Sequence, residues 1–188
     1  HAFIKIYNVP IFYIPKLSHP DPSVERRSGF LPPSFSDTKN LGSSVTVPFF
    51  WSLSNDKNFT LTTRLFDTEN PLFLGEYHQA YAKSELIADF GYTKGYKRTN
   101  AKKQPGDKSH FFSKFTKNFS WIKNSQNELD IVLQDVSNDK YLKLYKLNSI
   151  LVDHGTNTLE NSIKFSHEEN DMFIGLNASV FENLKENY

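Results

Sequence analysis

The chain has 188 residues, no cysteine and a formal net charge of +1, from 22 lysine and arginine residues against 21 aspartate and glutamate residues. This balance gives no electrostatic support for nucleic-acid binding, and the lack of cysteine excludes disulfides and thiolate metal sites within the chain. No run of about 18 apolar residues is present, which excludes a transmembrane helix but leaves open a barrel of membrane-crossing strands.

The first segment differs from the rest of the chain. Residues 2–22, "AFIKIYNVPIFYIPKLSHPDP", are apolar without regular alternation and contain four prolines. We predict that residues 1–22 are the end of an N-terminal domain with a linker, and that residues 23–188 form a second domain. Because the chain starts inside a strand-like run without a secretion signal, we also expect it to be an interior piece of a longer protein.

Period-two alternation dominates from residue 28 onward, as in "VTVPFFW", where Val45, Val47 and Phe49 share one face with Trp51. About nine strands are predicted, many of the roughly 9 to 11 residues that cross a bilayer at a tilt. The fold class is therefore all-β, an antiparallel up-and-down meander. The predicted strands lie at 28–36, 43–52, 58–66, 71–82, 84–93, 109–120, 127–137, 159–167 and 171–182.

The connections between these strands favour a large transmembrane β-barrel. The fifth and seventh connections, 94–108 and 138–158, are long and polar, whereas the even-numbered turns are short. In a meander alternate turns lie on the same side, and long loops on one side with short turns on the other are typical of outer-membrane barrels. Nine strands do not close a wide barrel, so we expect an open curved sheet with two unpaired edges.

The first predicted hairpin has proline in the middle of both strands, at "GFLPPSF" and "VTVPFFW". Proline donates no ladder hydrogen bond and is confined in sheets to edges, strand starts and bulges. A two-residue turn at Asn40 and Leu41 would place Pro33 directly opposite Pro48. The sequence therefore predicts that the ladder is broken at one level on both strands.

Several motifs resemble the LptD family of lipopolysaccharide-assembly proteins, also called OstA or Imp. They are "PIFYIP" (Pro10 to Pro15), "RRSGFL" (Arg26 to Leu31), the proline-aromatic run ending in Trp51, and "VSNDKYL" (Val136 to Leu142). The similarity is strong over about residues 8–66 and weaker afterwards.

The resemblance implies an outer-membrane barrel that is plugged by the lipoprotein LptE and supplied by a periplasmic bridge of LptA and LptC. It also implies that lipopolysaccharide leaves laterally beside the proline-weakened first strands, with Pro33 and Pro48 as lateral-gate residues. Pro32 is an additional proline here, so the family pattern leaves open which of the adjacent pair fills that role. Arg26, Arg27 and Gly29 would mark the domain junction, with the N-terminal side in the periplasm.

Other residues carry weaker expectations. Transport makes no covalent bond, so no catalytic residue and no cofactor are expected, and the six scattered histidines do not predict a metal site. The basic run Lys94–Lys108 would contact lipid A phosphates or, as we favour, form a solvated external loop. Trp51 and Trp121 are predicted in the aromatic girdle at the membrane interface. The alternatives are a soluble β-sandwich binding module, or another outer-membrane barrel such as a porin or a TonB-dependent receptor.

Overall fold

The computed structural model describes residues 2–6, 9–14, 26–100, 103 and 105–184. Strands β1 (Ala2–Ile6) and β2 (Val9–Ile14) pair antiparallel as a separate two-stranded sheet. The predicted domain boundary at residue 22 lies outside the described residues.

The remaining strands form one antiparallel sheet in which every strand neighbours the next along the chain, except that β3 and β4 both pair with β5. The predicted all-β meander is confirmed, and its first strand is divided in two. In chain order the strands are β3 (Gly29–Phe30), β4 (Ser34–Thr38), β5 (Gly42–Ser54), β6 (Lys57–Phe66), β7 (Leu72–Tyr81), β8 (Ser84–Gly95), β9 (Pro105–Phe119), β10 (Ser125–Val136), β11 (Thr158–Glu169) and β12 (Met172–Asn183).

This ten-stranded sheet is open. Strand β12 pairs only with β11 at one edge, and β3 with β4 forms the other edge against β5. The other sheet among the described residues has only the two strands β1 and β2, whereas a β-sandwich requires two sheets of several strands each. The expectation of an open sheet with two unpaired edges is therefore confirmed.

The two faces of the sheet differ in chemistry because side chains alternate along each strand. One row of paired residues crosses five strands with apolar side chains only, and the row one residue away on the opposite face is polar. The apolar row is Leu86, Phe115, Ile131, Ile163 and Ala178. The polar row is Glu85, Thr116, Asp130, Lys164 and Asn177.

The apolar face is the exposed one. Leu61, Phe111, Ile163 and Leu176 lie on it with between 41% and 64% of their surface accessible. A water-soluble sheet normally buries its apolar face, so an exposed apolar face of this extent is unusual for a soluble protein.

Buried apolar side chains lie at the end of the sheet where the long connections emerge. The seventh connection, residues 137–157, contains the short helix α1 (Tyr141–Tyr145), and its apolar side chains pack with strand residues of the polar face. The buried cluster comprises Leu41, Leu72, Phe112, Tyr141, Leu142, Tyr145, Leu147, Val152, Leu159 and Leu184.

The lengths of the connections agree with the predicted asymmetry. Short turns at 55–56, 82–83 and 170–171 lie at one end, while the connections 96–104 and 137–157 lie at the other. None of the helices in the described part of the chain has the length and apolar character needed to cross a membrane.

Candidate functional site: the proline-interrupted edge hairpin

The candidate site is the hairpin of β3 and β4 with β5, at one edge of the sheet. Residues 31–33, between β3 and β4, belong to neither strand. Gly29 and Phe30 pair with Phe50 and Phe49, and pairing resumes with Ser34 opposite Thr46. The edge strand is therefore interrupted at the level of its prolines, as the sequence predicts.

The predicted register of this hairpin is wrong. Thr38 pairs with Gly42, so the turn spans three residues, 39–41, and not the two residues assumed. Gly42 has a φ of +76°, the left-handed conformation that commonly closes a three-residue hairpin loop. As a result Pro33 does not lie directly opposite Pro48.

The interruption has the form of a β-bulge. The Leu31 amide donates to the Pro48 carbonyl at 2.9 Å, and the next pair along the hairpin is Ser34 with Thr46. Two residues, Pro32 and Pro33, therefore span the position opposite the single residue Val47. Bulges are one of the few places where a sheet accepts proline, so the bulge accounts for both of these adjacent prolines.

Pro48 removes one further hydrogen bond from the same place. In an antiparallel hydrogen-bonded pair the two residues exchange both of their N–H···O bonds. The Leu31 and Pro48 pair makes only the bond from Leu31, because Pro48 has no amide hydrogen to return to the Leu31 carbonyl. Three prolines thus weaken the edge at one level.

The other side of β5 is not weakened. Pro48 pairs with Thr62 of β6, and the ladder runs without a shift from Ser44–Phe66 to Ser52–Asn58. Because the carbonyl of Pro48 points toward β3, its missing N–H also lies on that side. The prolines therefore loosen the edge strand alone and leave the rest of the sheet intact.

The predicted junction residues come just before the prolines in the chain. Arg26 and Arg27 are exposed, and the Ser28 hydroxyl accepts a hydrogen bond from the Ser52 amide at 2.9 Å. Gly29 pairs with Phe50, and nothing lies within 4 Å of where its Cβ would be. These residues begin the hairpin but do not contact the prolines through any bond that the structure shows.

A second group of polar residues lies on the polar face under the insertion 137–157, and the sequence analysis missed it. The Asp89 carboxylate is 2.6 Å from His110 Nε2, and His110 Nδ1 is 3.3 Å from the Tyr141 hydroxyl. Arg64 donates to the Tyr145 carbonyl, the last of helix α1, at 2.6 Å. A cation there satisfies a carbonyl that the helix leaves without an internal partner and complements the helix dipole.

The two tyrosines of helix α1 are buried, at 0% exposure for Tyr141 and 1% for Tyr145. Burial penalises the charged phenolate, so it raises the pKa of both hydroxyls, that of Tyr145 to about 12. The alternation of β7, β8 and β9 places Glu76, Asp89 and His110 on the polar face. The sequence marks these three residues only as polar side chains on one face of the sheet. Their contact with helix α1 was not predictable, because the helix belongs to a connection far away in the sequence.

A cavity of about 220 Å³ lies between the insertion and the sheet, lined in part by Arg64, Glu76, Asp89 and His110. Its charges are of both signs. The described residues contain no group of three or more histidine, aspartate or glutamate side chains placed to hold a metal ion.

The basic run predicted as a solvated loop is divided by the structure. Lys94, Lys97 and Arg98 are exposed, as expected, whereas Lys108 is buried. Lys103 bonds to Glu69 at 2.7 Å and to the Asn40 carbonyl at 2.9 Å. Within this run Lys103 therefore contacts other connections and Lys108 is buried, so neither side chain is fully solvated.

The two tryptophans lie toward the short-turn end, as predicted, at 53% exposure for Trp51 and 71% for Trp121. The Trp121 ring lies 5.1 Å from the Phe119 ring and 5.8 Å from the Phe165 ring, centre to centre, in tilted arrangements. Their place in a membrane girdle stays a prediction.

The chain is similar to proteins named LPS-assembly protein LptD. The relative from Methylococcus capsulatus is 38% identical over 77 residues, which are 41% of this chain and 7% of that protein. The relative from Alkalilimnicola ehrlichii is 33% identical over 92 residues, covering 48% of this chain and 12% of that protein. The one from Pseudomonas aeruginosa is 32% identical over 92 residues, covering 49% and 10%.

No family model matches the chain. The similarity to these relatives confirms the resemblance that the motifs predict. The matched segment spans only 7% to 12% of the length of these relatives.

Proposed function

We propose that this chain is part of an outer-membrane barrel that inserts lipopolysaccharide into the outer leaflet. The lipid would leave beside the edge hairpin of β3, β4 and β5, which we call the exit edge. The observation that carries the proposal is the single weakened level at the sheet edge, where the bulge of Pro32 and Pro33 lies beside Pro48. The similarity to LPS-assembly proteins supports lipopolysaccharide as the substrate.

The physical argument concerns where a sheet opens most easily. A ladder hydrogen bond contributes about 0.5 to 1.5 kcal/mol net in water, and an unsatisfied carbonyl costs several kcal/mol in lipid. An edge that already lacks these bonds requires less work to separate than the intact β5–β6 pair. An amphipathic glycolipid would therefore pass from the polar face to the apolar face at this level.

The remaining assignments belong to the same proposal. LptE would plug the barrel, LptA and LptC would deliver the lipid from the periplasm, and residues 1–22 would lie on the periplasmic side. The sheet would reside in the outer membrane, with its exposed apolar face against lipid and Trp51 and Trp121 in the interface. The transport step makes and breaks no covalent bond, so we assign no catalytic residue and no cofactor.

The experiment replaces Pro33 and Pro48 by alanine in the intact protein. The amide restored at position 48 can donate to the Leu31 carbonyl, and each bond of about 0.5 to 1.5 kcal/mol slows opening by about two- to tenfold. We expect slower appearance of newly made lipopolysaccharide at the cell surface and greater permeability to large antibiotics.

The matched control is Pro71→Ala, since Pro71 lies outside the strands in the connection between β6 and β7. It should leave delivery unchanged. The proposal is wrong if the double variant, folded and present at normal levels, delivers lipopolysaccharide as fast as the control.

A further inference from the structure

Building on the proposed function, we infer that Lys103 clamps the tip of the edge hairpin, so that β4 is the fixed part of the edge and β3 the part that opens. Lys103 is then a positioning residue, which acts on the exit edge from another connection. The inference comes from how unequally the two halves of the hairpin are held.

The β3 half is weakly held. It has two paired residues, Gly29 and Phe30, together with the Leu31–Pro48 bond and one bond from Ser52 to Ser28. The β4 half has five paired residues, Ser34 to Thr38, and the hydroxyls of Ser36 and Ser44 lie 2.8 Å apart. The proline bulge separates the two halves.

The tip beyond β4 is packed into the body of the sheet. Leu41 is only 2% exposed although it lies in a turn, and its carbonyl accepts a bond from the Thr68 hydroxyl at 3.5 Å. The Asp67 amide donates to the Ser43 carbonyl at 3.0 Å. A Cβ at Gly42 would overlap Asp67, so the backbone of the tip lies directly against the connection between β6 and β7.

Lys103, in the connection 96–104, adds a further contact to the tip. Its ammonium donates to the Asn40 carbonyl in the tip and to Glu69 Oε1, and it lies 4.9 Å from the centre of the Tyr96 ring. The other oxygen of Glu69 accepts the Lys97 amide at 2.7 Å. One cation therefore ties the tip of the hairpin to two other connections.

The burial of the Glu69 carboxylate makes the loss of Lys103 more costly than the loss of one partner of an ordinary surface ion pair. The side chain of Glu69 is 3% exposed and that of Lys103 is 31% exposed. Surface pairs contribute little because water screens them, whereas losing one partner of a buried pair leaves the other charge uncompensated. The tip is thus anchored, and separation at the bulge leaves β3 as the mobile part.

The first test measures amide hydrogen exchange in the intact protein with Lys103→Met. Hydrogen bonds to charged groups are the stronger class, so we expect exchange in β4 to accelerate by about tenfold. Exchange in β7 and β8 should stay as in the wild type. Lys103→Arg keeps the charge and should restore most of the protection.

Lys94→Met is the matched control, because Lys94 is an exposed lysine at the same end of the sheet. It should leave the rate of hydrogen exchange in β4 unchanged. Equal β4 exchange in Lys103→Met, Lys94→Met and wild type overturns the clamp, whatever the proline variants do.

The second test decides which half moves, using engineered disulfides in a chain that has no cysteine of its own. Gly29 pairs with Phe50, and Ser36 pairs with Ser44, each as a hydrogen-bonded pair with Cα atoms about 5.5 Å apart, which a disulfide can bridge. Gly29→Cys with Phe50→Cys locks β3, and Ser36→Cys with Ser44→Cys locks β4. The single-cysteine variants, oxidised in the same way, are the controls.

We expect the β3 lock to reduce lipopolysaccharide delivery at least tenfold and the β4 lock to leave it near the control. Equal blocking by both locks overturns the inference but keeps the proposed exit edge. Full delivery with both locks overturns the proposed exit edge as well.

Discussion

At the scale of single residues, Gly91 determines how closely helix α1 approaches the sheet. A Cβ at this position would lie 2.6 Å from the His110 ring, 2.7 Å from Leu74 and 2.8 Å from the Tyr141 hydroxyl. All three are closer than carbon atoms normally approach in packed interiors. The missing side chain therefore forms the socket into which Tyr141 fits beside His110.

We predict that Gly91→Ala destabilises the docked insertion by about 1 to 3 kcal/mol, the usual cost of overpacking. Hydrogen exchange of residues 141–147 in the intact protein measures the free energy of local opening. Gly29→Ala is the control, because its Cβ would meet nothing within 4 Å. Equal exchange in the two variants would show that Gly91 does not form the socket.

The prolines show what a sequence does and does not reveal at this scale. Proline in two adjacent strands predicted a break in the ladder, because the missing donor is a property of the residue itself. The predicted pairing of Pro33 with Pro48 was wrong because it depended on the length of the turn. The glycine at position 42 was the available signal for a three-residue turn.

At the scale of elements, the strands were predictable and the insertion was not. Alternation is local and strong in β5, β6 and β8, so their bounds agree with the prediction within about two residues. Helix α1 has only five residues, too few to be stable by itself. It forms because Tyr141 and Tyr145 are buried against residues far away in the sequence.

The insertion should be sensitive to alkaline pH. Burial raises the pKa of Tyr145 from the ordinary value of 10.0 to about 12. Below pH 10 the hydroxyl is neutral in the docked and undocked states, so its contribution to docking is fully present. As the pH rises from 10 through about 12, the undocked state ionises first and the contribution is lost.

Ultraviolet absorbance of tyrosinate, followed from pH 9 to 13, measures this prediction. We expect wild type to contain tyrosines that ionise well above 10, and Tyr145→Phe to lose one of them near 12. The phenylalanine variant keeps the buried ring, which makes it a matched comparison. The prediction fails if the tyrosine lost in that variant is one that ionises near 10.

At the scale of the whole molecule, the sheet has one exposed apolar face and one polar face that carries the insertion. The alternation that produces these faces was visible in the sequence. The position of the insertion on the polar face was not, since it depends on contacts such as Arg64 with Tyr145. Both features fit the proposed membrane wall, with lipid against the apolar face and water against the polar face.

This arrangement predicts opposite outcomes for a charge placed on the two faces of β6. Leu61, near the middle of the strand, is 41% exposed on the apolar face, and its neighbour Thr60 points to the other face, where it pairs with Glu76. An arginine at the lipid-facing midplane of a barrel costs about 2 to 4 kcal/mol. Leu61→Arg should therefore lower the folded fraction in lipid vesicles, measured by urea titration, and Thr60→Arg should change it little because Glu76 offers a partner.

A water-exposed sheet would behave differently, since a charge in place of an exposed leucine is then harmless and folding would not require lipid or detergent. Equal folding of the two variants in vesicles would contradict the placement of the apolar face against the membrane.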